Sequence, residues 1–433
     1  MLSRFQLRNF KSFKDATLEF GPLTVLIGAN ASGKSNLIEA LQLYSWLASG
    51  RRVDHVFFAM RDREIELRGG PGAFTRFGSA EPLSLAAVMD EGADSVRHEV
   101  ELRFSGESAR IISERLRDFT DESVLLYESA ETAVDAGSEL KLSIYSGRPG
   151  RKPSTRITSQ QLALTQRWSG VDLHPEVSLH YDKVQEWVTD DLRNLTFIDP
   201  VPKRMRGYAF TVETSLKSDC ANVSAVLHKL CSEAGVKDSI LEFIGAIPEK
   251  DVIDISFVST PRSEVMVQLV ETFGHREEPM DASVLSDGTL RVLAIAAAVL
   301  SVPENSALVI EEIDNGVHPS RVGILLKSIL EVATRRRLHV LITTHSPALL
   351  DALPDAAIPS VQVCYRDPEE GDSRVIRLDA LGQYPELVAQ GRLGGLVSKG
   401  VLERYLKTPA PSRDERVRSL NSWLEGLGGG RPT

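Results

Sequence analysis

Cysteine is scarce. Three occur in 433 residues, Cys220, Cys231 and Cys364, and none forms a C-x-x-C pair, which excludes a disulfide framework and a zinc knuckle. Long apolar runs are missing too. The longest, Val292 to Val302, reaches about half of the ~20 residues that a membrane span requires and reads as a buried helix. The opening Met1-Leu2-Ser3-Arg4-Phe5 has neither an apolar h-region nor a small-residue cleavage site, so a cytosolic protein is expected. Positive charge is in deficit. With a net charge of −10 the chain as a whole does not attract nucleic acid, and only local basic stretches could. Heptads and internal repeats are absent. What remains is an ordinary soluble composition, 42% hydrophobic and 25% charged, on a chain long enough for two lobes rather than one core.

The first fifty residues read as strand, strand, strand, helix. Leu23-Thr24-Val25-Leu26-Ile27 suits a buried strand, and after a glycine-rich turn Leu37, Leu41 and Tyr44 share one helical face. From Leu83 to Tyr145 the pattern changes to short β segments. In Val96–Phe104, apolar and charged residues alternate as in a half-buried antiparallel strand. Gly147, Pro149, Gly150 and Pro153 mark a boundary. The stretch from Gln160 to Ala246 is expected to be helical. Two β segments follow, Val252–Val258 and Val265–Phe273, and then helix and strand alternate to Tyr365, as in a parallel sheet covered by helices. The expected organisation has four parts. Residues 1–150 form the N-terminal part of one lobe with an antiparallel β subdomain, and 151–250 an inserted helical lobe. Residues 251–405 complete the first lobe, and 406–433 hold a C-terminal helix and flexible tail.

Four motifs carry chemistry. Gly28-Ala29-Asn30-Ala31-Ser32-Gly33-Lys34-Ser35, continuing into Asn36, fits the P-loop pattern G-x-x-x-x-G-K-[ST] between a strand and a helix. Its glycines let backbone N–H groups close around phosphate at the positive end of the helix dipole. Lys34 would reach the β- and γ-phosphates of ATP, and the Ser35 hydroxyl would hold Mg²⁺. Second, Leu308-Val309-Ile310 ends in Glu311 and Glu312. Successive strand side chains point to opposite faces, so Glu311 could bind Mg²⁺ while Glu312 activates water, although a strand ending in solvated acids is the plainer reading. Third, Thr343-Thr344-His345-Ser346 ends another apolar strand, where His345 either bonds a γ-phosphate or merely caps the next helix. Fourth, Leu285-Ser286-Asp287-Gly288-Thr289-Leu290-Arg291 opens an apolar helix. Ser286 suits an N-cap and Gly288 a close backbone approach, which makes either a capped helix or an anion site.

In this order the motifs resemble the ABC-type ATPases of the RecF/SMC-like class. The resemblance is narrower to stand-alone bacterial AAA-family ATPases related to the OLD-family ATPase domain. Phe10-Lys11-Ser12-Phe13-Lys14 and Glu311-Glu312-Ile313-Asp314-Asn315-Gly316-Val317-His318-Pro319 carry the same likeness. It implies an α/β fold, an ABC-type P-loop ATPase head with a mixed β-sheet core, an antiparallel β subdomain and an inserted helical lobe. It implies a signature motif at 285–291, whose Ser286, Asp287 and Gly288 meet the nucleotide of a second copy in a head-to-tail dimer. Asp314 would lie in the D-loop, His345 would be the switch histidine, and a glutamine would link Mg²⁺ to the helical lobe. Gln166 is taken for that glutamine, with Gln160 and Gln161 as alternatives. Glu311 stands where the family usually has Asp. The interval before Leu285 lacks a long coiled coil, and the segment after His345 lacks an acidic nuclease site, Asp367–Asp372 reading instead as a solvated hairpin turn.

Basic residues cluster at Arg148, Arg151, Lys152, Arg156 and Arg167, at Lys203, Arg204 and Arg206, and at Arg335–Arg337. The last group suits a helix C-terminus, and the others could face double-stranded DNA or simply solvent. The function expected is an Mg²⁺-dependent ATPase switch in nucleic-acid sensing or processing, in anti-phage defence or DNA repair. It would dimerise or assemble further and work with a separately encoded nuclease. The alternatives are an ATP-binding scaffold that restrains a toxin-like effector and, behind it, a transporter ATPase subunit. The transporter reading is disfavoured because the signature reads Leu-Ser-Asp-Gly-Thr and not Leu-Ser-Gly-Gly-Gln.

Overall fold

The structure is a computed structural model that describes residues 1–120, 124–131, 138–146, 150, 152–168, 171, 173–233, 236–245, 252–273, 276–381, 384 and 389–407. The tail expected beyond 407, together with Arg148 and Arg151, lies outside these residues.

The chain opens with β1 (Leu2–Phe10), β2 (Phe13–Glu19), β3 (Leu23–Ile27) and α1 (Lys34–Ala48), followed by the short α2 (Val56–Arg61). A meander comes next: β4 (Leu83–Glu91), β5 (Asp94–Ser105), β6 (Ser108–Asp118), β7 (Val124–Glu131), β8 (Glu139–Ile144) and β9 (Ser154–Thr158). The middle of the chain holds α3 (Pro175–Arg193), β10 (Thr196–Ile198), α4 (Pro202–Met205), β11 (Ala209–Phe210), α5 (Val223–Cys231) and α6 (Val236–Ile244). A small antiparallel sheet of β12 (Val252–Ser259), β13 (Glu264–Phe273) and β14 (Arg276–Asp281) leads into α7 (Asp287–Ser301). The final third contributes β15 (Ala307–Ile310), α8 (Pro319–Arg336), β16 (His339–Thr344), α9 (Pro347–Asp351), β17 (Val361–Arg366) and β18 (Ser373–Arg377). Two short helices follow, α10 (Leu393–Ser398) and α11 (Val401–Lys407).

Among the described residues the large sheet has 14 strands in the order β10-β15-β16-β3-β17-β18-β2-β1-β4-β5-β6-β7-β8-β9. From β10 to β17 the neighbours are parallel, and from β1 to β9 they are antiparallel. Strands from the two ends of the chain therefore meet at β3, which pairs with β16 on one side and β17 on the other.

Alternation within the central strands sorts two cores. Leu23, Val25 and Ile27 join Leu308 and Ile310 against the α7 and α8 face, whereas Leu26, Ala307 and Val309 face α1. Helix α7 is apolar all round because it is buried all round, from Leu290 through Val299, apart from Arg291. Each fully buried Leu or Val there contributes about 1.5–3 kcal/mol of transfer free energy.

Two expectations need correction. The stretch 160–246 is not wholly helical, since Thr196-Phe197-Ile198 forms β10, an edge strand parallel to β15. A three-residue apolar run has no readable period, and α3 immediately before it masked the change. The boundary drawn at 150 also divides a β-hairpin, because β9 pairs with β8 through Leu142 and Thr155.

Candidate active site

The C-terminal ends of β15, β16 and β3 bring three of the four motifs to one edge. The P-loop leaves β3 through Ala31 (φ 64°) and Gly33 (φ 118°), left-handed positions that turn the chain into α1. A side chain at Gly28 would overlap the Cys364 carbonyl oxygen, and one at Gly33 would meet Ser373 Oγ at 2.5 Å. The turn is thus packed against β17 and β18 at its two glycines. Lys34 bends over the loop and donates to Gly28 O at 2.5 Å and Ala29 O at 3.1 Å. Burial lowers the pKa of its ammonium, while Cys364, Glu312 and Asp314 act in the opposite sense. Ser35 stands in the first turn of α1, which carries no acidic residue to compete for its N–H groups. Asn36 turns away and donates to Ser12 Oγ at 2.8 Å. Ser32 is buried with its hydroxyl unpartnered, and its carbonyl accepts from the Cys364 thiol.

Glu311 and Glu312 sit in the turn after β15, past its last residue Ile310, so strand alternation does not place them. Burial pushes the Glu311 carboxyl up to about 7, with Asp199 as the next cause. Glu312 takes a left-handed φ of 46°, donates its N–H to Thr343 Oγ1 at 3.0 Å, and accepts from the Asn315 side chain. A non-glycine residue held there costs about 1 kcal/mol or more and is retained only where its surroundings enforce it. Asp314 has a buried carboxylate oxygen, Oδ1, with no partner. His345 is exposed beside Gly28, Ala29 and Asn30 on the rim of a cavity of about 420 Å³. The helix cap after it is Ser346, whose Oγ accepts from Leu349 N, so His345 is not needed for capping.

Ser35 and Glu311 are fit donors for Mg²⁺. The carboxylate of Glu311 is buried and crowded by Asp199, with Arg68 acting in the opposite sense, and a hard dication takes such oxygen donors.

Among the described residues, the 285–291 segment has no hydrogen bond to residues 28–35. Ser286 caps α7, accepting from Thr289 N at 3.1 Å, and Asp287 pairs with Arg206 at 2.6 Å. Neither bonds to the P-loop. Gly288 packs instead on the backbone of Gly316, so the structure joins the start of α7 to the segment that follows Glu312.

The glutamine expectation is overturned. Gln166 binds the sheet edge, where its Oε1 accepts from Thr158 N and its Nε2 donates to Thr158 O, both at 3.0 Å. A side-chain amide there takes the place of a further strand. Gln161 donates to Gly50 O at 2.7 Å, and the Gln160 carbonyl accepts from Val53 N. All three therefore sit past the C-terminal end of α1, about 20 Å along the helix from Ser35.

Sequence reasoning missed Asp199, Lys11, Glu39 and Arg68. Asp199 follows β10 beside Glu311, whose N–H bonds Ile198 O at 3.0 Å. Its signal was an apolar triplet ending in acid and proline, a short version of Leu308–Glu311. Glu39 is buried on α1, takes the Lys11 ammonium and accepts from Arg68 Nε at 2.6 Å. A charged residue on a helix gives no such hint.

The basic clusters are largely engaged. Lys152 pairs with Glu128, Arg156 with Glu139, and Arg204 with Asp219. Arg336 ends α8 by donating to Val299 O and Val302 O. The 367–372 turn is only partly solvated, since Asp372 is buried against Arg76.

A family model described as "AAA domain, putative AbiEii toxin, Type IV TA system" matches residues 174–351, and one described as "AAA ATPase domain" matches residues 1–51. The chain is 20% identical over 360 residues to an ATP/GTP phosphatase of Helicobacter pylori, covering 82% of this chain and 87% of that protein. It is 40% identical over 103 residues to the DNA replication and repair protein RecF of Gloeobacter violaceus, covering 24% of this chain and 23% of RecF. Among solved structures it is similar to an SMC head bound to the C-winged helix domain of ScpA, with a TM-score of 0.46, 13% identity, and coverage of 87% and 96%. It is also similar to the SMC head domain from Thermotoga maritima, with a TM-score of 0.39, 13% identity, and coverage of 87% and 98%.

Proposed function

We propose that the chain is a P-loop ATPase of the RecF/SMC-like ABC type and works as an ATP-driven switch made by two copies joined head to tail. One observation carries this reading: Ser286 and Asp287 spend their hydrogen bonds on Thr289 and Arg206, while the nucleotide motifs converge around another edge of the same chain. A second copy brings a signature to that edge.

In this reading Gly28–Ser35 hold the phosphates of ATP through backbone N–H groups, and Lys34 leaves its loop carbonyls to reach the γ-phosphate. Ser35 and Glu311 hold Mg²⁺, which offsets charge on the phosphate oxygens. Glu312, fixed by Thr343, accepts the proton of the attacking water, and His345 donates to the γ-phosphate. Asp314 and the second copy's signature close the site. Hydrolysis removes the γ-phosphate they share, and the dimer opens.

The output proposed is sensing or processing of nucleic acid, in repair or in defence against phage, with a separate nuclease. Its support is the likeness to RecF, a replication and repair protein.

Turnover and size by light scattering, for wild type and Glu312→Gln with and without DNA, test this. Turnover in the wild type and an ATP-dependent dimer in Glu312→Gln are expected. ATP binding without turnover, at a size indifferent to nucleotide, would replace the switch with a scaffold that restrains an effector.

A further inference from the structure

The side chain of Arg206 holds the start of the signature segment from outside. The chain turns at Asp281–Val284, where Val284 N bonds Asp281 O at 2.9 Å, and then enters α7. Inside this turn one guanidinium nitrogen of Arg206 donates to Ser283 O at 3.0 Å and Leu285 O at 2.7 Å, with Ala282 O at 3.4 Å. The other terminal nitrogen donates to Asp287 Oδ1 at 2.6 Å. Three carbonyls and a carboxylate around one planar fork need an arginine, because an ammonium carries fewer donors and no fixed plane.

The other end of this arrangement is as firmly fixed. Arg206 directly follows α4, whose Met205 is fully buried. Four backbone bonds then lead back to the acids that follow β15. Arg204 N bonds Val201 O at 2.8 Å, Val201 N bonds Asp219 O at 3.1 Å, Asp199 N bonds Ser218 O at 2.8 Å, and Glu311 N bonds Ile198 O at 3.0 Å. Residues 198–206 thus form a strut from the strand that precedes Glu311 to the segment that would complete a second copy's site.

We infer that Arg206 is a positioning residue. It sets where Ser286–Gly288 stand relative to the Glu311 strand of the same chain, and so makes the signature offered to a second copy depend on the geometry of its own site. This rests on the head-to-tail reading above. The hydrogen bonds of Arg206 go to residues 282–287 and none to residues 28–35, so its loss separates nucleotide affinity from assembly.

The test uses the full chain. Glu312→Gln and the double variant Glu312→Gln with Arg206→Gln are compared for ATP-dependent dimerisation, and both for the affinity of a fluorescent ATP analogue at dilution. Arg206→Gln and Arg206→Lys alone are compared for kcat and KM. The result expected is a dimer with Glu312→Gln and at least tenfold weaker dimerisation in the double variant, with analogue affinity within about twofold. Arg206→Gln should lower kcat at least tenfold with KM little changed, and Arg206→Lys should recover part of it. An equal dimer in the double variant with wild-type kcat for Arg206→Gln overturns the inference and leaves the dimer standing. Loss of analogue affinity together with early melting overturns it in favour of a general structural role. If Glu312→Gln alone stays monomeric, the head-to-tail reading falls and takes this inference with it.

Discussion

Gly288 lies with its backbone directly against the carbonyl oxygen of Gly316, and a methyl group added at Gly288 would overlap that oxygen. Gly316 holds φ 74°, and the same approach brings it close to Arg291. The start of α7 is therefore packed directly on the segment after Glu312.

Gly288→Ala should force them apart. Overpacking of this kind costs about 1–3 kcal/mol. The expected outcome is a modestly lower melting temperature, ATP affinity within about twofold of wild type, and turnover reduced more than tenfold. Unchanged turnover would show that the close approach has no part in the reaction.

Gly33→Ala should act earlier, on nucleotide binding. Its φ of 118° disfavours any L side chain, and the new methyl would press on Ser373 Oγ and, at 3.0 Å, on Phe13. The backbone strain alone is worth about 1–2 kcal/mol. ATP affinity measured by calorimetry should fall more than tenfold, and tight binding would contradict the packing described.

Glu311 gives a pH dependence with a definite sign. Its folded pKa of about 7 exceeds the ordinary 4.5, so the folded chain binds the proton more tightly than the unfolded one. Stability is then greatest below 4.5 and is lost as pH rises through 7. In the absence of nucleotide and Mg²⁺, Glu311→Gln should be more stable than wild type at pH 8 by on the order of 2 kcal/mol, and the difference should vanish near pH 4.5. Equal melting at pH 8 would mean that the carboxylate is already compensated.

Glu114 makes a purely structural prediction. Fully buried on β6, its Oε1 accepts from Tyr127 OH at 2.6 Å and Leu164 N at 3.0 Å, and lies 2.9 Å from His98 Nε2. Its Oε2 accepts from Ala163 N at 2.6 Å. Glu114→Gln turns a donor toward groups that need acceptors, and each unsatisfied buried group costs about 1–3 kcal/mol. Chemical denaturation should show a loss of several kcal/mol, and a loss under 1 kcal/mol would mean the network rearranges freely.

Legibility in the sequence followed the range of the signal. The P-loop, the acids after Ile310 and the cap at Ser286 were readable because each is a short motif set by local backbone geometry. The long alternation of β5 was readable for the same reason, a period of two sustained over many residues. Gln166 was misplaced because a glutamine in a loop has no local signature, and its position depends on where β9 runs. Asp199 and Arg206 stayed hidden because their neighbours, Glu311 and Leu285, are about 80 residues or more away along the chain, and nothing in either stretch names its partner. The basic clusters misled in a related way, since charge is visible in sequence and its counter-charge across a fold is not.

The position of β3 has a consequence for biosynthesis. Leu23 pairs with Val340 and Ile27 with Val363, so the strand that launches the P-loop is made well before both its neighbours and must wait for them. At about 5–20 residues per second that wait is tens of seconds, during which two strand edges rich in Val, Leu and Ile stand uncovered. A chain that stalls before Val340 leaves both edges of β3 without their partner strands.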